Sequence, residues 1–78
     1  MTNVEKFNRV FTEVFMIKEG QLAGLKYQDI PEWDSIGHMN LIAELEEEFN
    51  IELDADDIVD FSSYEEGKEI LKKYGVVC

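Results

Sequence analysis

Between Tyr27 and Gly67 the chain has no Lys or Arg, although fourteen Asp or Glu residues fall in that stretch. So one-sided a charge repels nucleic acid phosphates and anionic membrane surfaces, and it attracts proteins that carry basic patches. Cysteine is nearly missing too. Cys78 is the only one, so no internal disulfide, zinc knuckle or CxxC redox motif can be built, and a reducing cytoplasm is the expected setting. Charged residues interrupt the apolar ones throughout, which excludes a membrane span and leads to the expectation of a soluble chain without a targeting segment. No segment alternates with period two for long enough to propose a strand, and there is no internal repeat. Proline occurs once, at Pro31.

What is present is a short, helix-patterned sequence of 78 residues in which 45% are hydrophobic, including five Phe, three Tyr and one Trp. That is enough apolar matter for a core, so a net charge of −11 does not by itself imply disorder. One domain spanning residues 1–78 is expected. A chain this small buries only ~60% of its unfolded surface or slightly more, which leaves little room for an enclosed active site and points away from an enzyme. The charge is segregated, because outside the acidic stretch seven bases stand against four acids.

The pattern predicts an all-α fold, a four-helix bundle of three longer helices and one short one, with a long loop between the first two. Thr2 and Glu5 fit a capping box, and Val4, Phe7, Phe11, Val14, Phe15 and Lys18 recur at helical spacing, so helix one is expected from about Asn3 to Lys18. Gly20, Gly24 and Pro31 break the pattern, and Glu19 to Trp33 reads as a connection pinned to the core by Leu22, Leu25, Tyr27 and Ile30. Helix two starts at Asp34 or Ser35, both good N-caps, and runs to about Phe49. A short helix from Ala55 to about Asp60 follows, and a last one starts after Ser62 and Ser63 and ends by Gly75.

Helix two carries two stripes. His38, Leu41, Ile42, Leu45 and Phe49 form the face expected against the core. Ile36, Met39 and Ala43 form a second, rimmed by Asn40, Glu44, Glu46 and Glu47, which is either a docking surface or a face covered by the short third helix. Ser35 stands at the mouth of this helix, where free backbone N–H groups and the positive dipole end favour a phosphate. A catalytic pairing of Ser35 with His38 lacks both a strained elbow and a glycine-rich oxyanion loop. Nor do Asp54, Asp56, Asp57 and Asp60 make a calcium loop, since no glycine lies between Ile51 and Glu66. The run Glu46-Glu47-Glu48 has the bland reading of a solvated helix face. Ser35 is then either no more than an N-cap or a modified serine, and the acidic surround, the spare apolar stripe and the long approach loop favour a modified serine on a docking protein.

The segment Trp33-Asp34-Ser35-Ile36-Gly37-His38-Met39, followed by Leu41-Ile42-Ala43-Glu44-Leu45-Glu46-Glu47-Glu48-Phe49, resembles the phosphopantetheine attachment region of acyl carrier proteins. The likeness in helix count, long first loop, short third helix and acidity spans the chain. It implies that Ser35 receives 4′-phosphopantetheine from coenzyme A through a basic, magnesium-using holo-synthase, with Asp34 helping to hold the metal during transfer. The pantetheine thiol would carry acyl groups as thioesters and deliver them between acyl-transferring or acyl-modifying enzymes with basic patches. Ile36, Met39 and Ala43 would touch those partners, with Glu46, Glu47, Asp56 and Asp57 supplying charge. A cytoplasmic monomer without nucleic acid or membrane partners is expected. Departures at Trp33, Ile36 and Gly37-His38 look more like carriers of polyketide, peptide, D-alanine or surface polysaccharide pathways than of fatty acid synthesis. The rival from another class is an unmodified acidic adaptor that binds a basic protein.

Overall fold

Thr2 starts the first helix as its spacing predicts: its hydroxyl accepts the Glu5 N–H at 3.2 Å while its own N–H donates to Glu5 Oε1 at 2.8 Å. Those bonds to Thr2 hold the Glu5 carboxyl below its ordinary value. In the computed structural model, which describes residues 1–78, helix α1 spans Asn3–Phe15, α2 Ser35–Phe49, α3 Ala55–Asp60 and α4 Tyr64–Lys72, with a 3₁₀ turn at Glu19–Gln21. No strand forms, and the architecture is the all-α four-helix bundle.

Helix α1 ends three residues before the expected Lys18. Met16 takes a left-handed conformation at φ 56, and its N–H closes on Thr12. The reason lies downstream: Leu22 and Leu25 are buried, and a helix continued along its own axis would carry them away from the core. Asn50, with φ 52, stops α2 in the same way.

Phe7, Val10, Phe11 and Phe15 line one face of α1 and sink into the core. Phe11 is its hub, with ring centroids 5.0 Å from Phe7, 5.6 Å from Trp33 and 5.4 Å from Tyr64. Phe61 packs over Gly67 so closely that a Cβ there would lie 2.3 Å from the ring. From α2 come Leu41, Ile42 and Leu45, and from α4 Ile70 and Leu71, all buried. Burying a side chain of this size stabilises by ~1.5–3 kcal/mol relative to leaving it in water.

The long connection is held more firmly than its apolar spacing suggests. Tyr27 N–H donates to the Ser62 carbonyl at 2.9 Å and Tyr64 N–H to the Leu25 carbonyl at 2.8 Å, an isolated antiparallel bridge that staples the loop to the start of α4. Leu22 and Leu25 anchor it as expected and Ile30 packs at the core's edge. Tyr27 is more than one-third exposed, and the main anchor is Trp33, 0% exposed.

Candidate functional site

The loop delivers Trp33 into the core and then turns into α2 at once, so the two residues after it are fixed. Asp34, in extended conformation, accepts the Gly37 N–H on Oδ1 at 2.8 Å and is the N-cap. Ser35 is therefore the first helical residue, not the cap. Its side chain is exposed, and its hydroxyl makes no hydrogen bond within the protein. Gly37 is buried where the chain doubles back: a Cβ there would meet the Glu32 carbonyl oxygen at 1.9 Å, so only glycine lets the loop press onto the first turn.

A cavity of about 330 Å³ opens beside Ser35, lined by Tyr27, His38, Met39, Ile58, Val59 and Ser62. Around it Ile36 is 72% exposed, Met39 52% and Val59 79%, an apolar rim contributed by α2 and α3. Helix α3 thus borders the second stripe of α2 without covering it. Ala43, also exposed, lies farther along and lines a separate groove of about 420 Å³ against α1, with Val10, Glu13 and Glu44.

The acids divide by what holds them. Glu47 and Asp56 are exposed and make no ion pair. Glu46, by contrast, spends Oε2 on the Leu53 N–H at 2.8 Å, bracing the turn into α3, and Glu48 pairs with Arg9 of α1. Asp57 corrects the sequence expectation of a partner-facing acid. It is 8% exposed, bonded to the Tyr74 hydroxyl and to Lys73 Nζ at 2.9 Å, so its charge is already engaged inside the fold. The Tyr74 hydroxyl and then the Lys73 ammonium hold the Asp57 carboxyl below its ordinary value, and the carboxylate in turn raises Lys73. Tyr74 is lowered by the Asp54 N–H it accepts but raised on balance by Asp57.

His38 is only half-buried, on the edge of the core face rather than within it. Sequence periodicity could place it there but could not show its partners, Trp33 and Ile58. Cys78 is partly buried, and burial pushes its thiol up, away from the reactive thiolate. No cluster of three or more His, Cys, Asp or Glu residues is arranged to hold a metal ion.

Residues 33–66 match the family model described as a phosphopantetheine attachment site. Over that segment the chain is similar to phosphopantetheine-carrying carrier domains. The matched segment covers the end of the loop, α2, α3 and the first turn of α4, and it holds every residue that lines the cavity except Tyr27. No curated protein and no solved structure matches the chain. Carrier domains of this type hold 4′-phosphopantetheine covalently, interact with synthase and transferase enzymes, and are generally not catalysts. The residues present suit such a group: the chain offers an exposed, unbonded hydroxyl on a helix start next to an open, mostly apolar cavity. No helix of the chain is long and apolar enough to cross a membrane.

Proposed function

We propose that Ser35 is the attachment residue for 4′-phosphopantetheine, and that the chain works as an acyl carrier whose pantetheine thiol holds acyl intermediates as thioesters for delivery between biosynthetic enzymes. One observation carries the assignment. Asp34 takes the capping duty, so the Ser35 hydroxyl has no structural task although it sits in the first turn of a 15-residue helix. In the transfer, the Ser35 Oγ–phosphorus bond forms as the phosphoanhydride bond of coenzyme A breaks. The serine proton is lost to a base of the transferase, and adenosine 3′,5′-bisphosphate departs with the other phosphate of the broken bond.

The chain's own contribution is position and field. The N-terminal dipole of α2 stabilises a phosphodiester on Ser35 by ~0.3–1 kcal/mol. Asp34 accepts the Gly37 N–H on one carboxylate oxygen, and its carboxylate would help to hold the magnesium ion that the transferase brings. Ile36, Met39 and Val59 offer partners a small apolar patch, and Glu47 and Asp56 add exposed charge that speeds encounter with basic surfaces. Exposed ion pairs worth ~0–1 kcal/mol each allow release after every step. Ala43 and Glu46 contribute to docking only at the margin, since one faces the α1 groove and the other braces the turn after α2.

Incubation with coenzyme A, magnesium and a phosphopantetheinyl transferase, followed by intact-mass measurement, tests the proposal. A mass increase of one phosphopantetheinyl group supports it. An unchanged mass with a transferase that modifies a control carrier leaves the unmodified adaptor as the better reading.

A further inference from the structure

Helix α3 has six residues, too few to be stable alone, and the carbonyls of Ile58, Val59 and Asp60 have no helical partner. One of those orphans is satisfied from another helix: His38 Nε2 of α2 lies 2.8 Å from the Ile58 carbonyl oxygen. The other ring nitrogen, Nδ1, accepts the Trp33 indole N–H at 3.0 Å. An indole N–H can only donate and a carbonyl can only accept, so both bonds form together only when Nδ1 is bare and Nε2 carries the proton. The imidazole is held in that plane by Tyr27 and Phe61, at centroid distances of 5.6 and 6.0 Å with near-perpendicular rings, and it lies almost parallel to the indole. The opposite side of α3 is tied to the turn that follows α4 through Asp57 and Tyr74, leaving His38 as the tie at the end nearest Ser35.

We infer that His38 is a positioning residue: through Trp33 and the Ile58 carbonyl it locks α3 as the outer wall of the cavity beside Ser35, so that serine and cavity reach the transferase in one arrangement. The lock itself is independent of the modification, whereas its consequence for transfer rests on the Ser35 reading. His38 stands one turn along α2 from Ser35 and lines the same cavity, but both its nitrogens are committed to the fold. Its effect on Ser35 therefore passes through α3 and the loop.

Three measurements on the full chain test this. Nitrogen NMR of the imidazole at neutral pH should show His38 protonated on Nε2 alone. His38→Phe keeps a ring between Tyr27 and Phe61 but removes both bonds. Hydrogen exchange of α3 amides should accelerate roughly tenfold in that variant, the scale of one lost hydrogen bond, with α1 protection unchanged. His38→Gln, whose amide can still donate to the Ile58 carbonyl, should restore part of that protection. The rate of phosphopantetheinyl transfer at subsaturating carrier should fall in the Phe variant and recover in step with α3 protection in the Gln variant. The other tautomer, or α3 exchange unaltered in His38→Phe, overturns the lock whatever the transferase does. Loosened α3 with an unaltered transfer rate overturns the positioning role. Absence of transfer to the wild type overturns the Ser35 reading, and the positioning role with it, while the NMR and exchange results still decide the lock.

Discussion

Asp34 and Ser35 are both good helix starters by composition, and the sequence pattern left the cap between them. Backbone geometry separates them: the Asp34 side chain takes the Gly37 N–H, and the serine next to it is released. Gly37 shows the opposite limit of sequence reading. In sequence it reads only as a departure from the family pattern, yet its lack of a Cβ is what allows the Glu32 carbonyl to approach. Gly37→Ala should therefore destabilise the chain by about 1–3 kcal/mol, because backbone must move to admit the methyl. Gly20→Ala, with nothing within 4 Å of its Cβ, should change stability by no more than ~0.5 kcal/mol. Denaturant unfolding of the two variants checks the contrast, and equal effects would mean that the close approach is not structurally demanding. Trp33 was legible only as a departure from the family pattern, since an isolated aromatic in an irregular loop has no periodicity to place it in the core.

At the scale of elements, the stripes of α1 and α2 and the caps of α1 and α4 were readable because a helix repeats every 3.6 residues and its ends need particular side chains. The α1 terminus was not, because a left-handed Met16 has no sequence signature of the kind that glycine gives. Nor was the Lys26–Ser63 bridge, which joins residues far apart in the chain with no alternating pattern. The ties of α3 to its neighbours were equally hidden, and they set its acid response. The Asp57 carboxyl is lowered in the fold by Tyr74 and Lys73, so its contribution is complete above its unfolded value of about 3.9 and is lost as pH falls through the lower folded value. Asp57→Asn should reduce stability at pH 7 and flatten the loss of stability below pH 4. Melting curves across pH 2–7 would show this, and parallel wild-type and variant curves would contradict it.

For the whole molecule, a net charge of −11 on 78 residues means that the folded state gathers charges that repel one another. The acidic stretch holds no base, and only Arg9, Lys72 and Lys73, all outside it, form salt bridges with acids. Added salt or magnesium should therefore raise the melting temperature, by screening at ionic strengths where the Debye length drops to ~8 Å and below. A melting temperature indifferent to both would show that self-repulsion is not a significant term. This field was fully legible in composition; which acids face solvent was not, as Asp57 and Glu46 show. The same surface is what would bring a basic transferase to Ser35, and the assignment of that serine is decided most directly by one measurement. Wild-type chain and Ser35→Ala are each incubated with coenzyme A, magnesium and a phosphopantetheinyl transferase, then digested and mapped by mass spectrometry. The added group should appear only on the wild-type peptide containing Ser35, while the variant stays folded with a stability within ~0.5 kcal/mol of the wild type, since Asp34 still caps the helix. Modification of Ser35→Ala, or of a wild-type peptide lacking residue 35, would contradict the account.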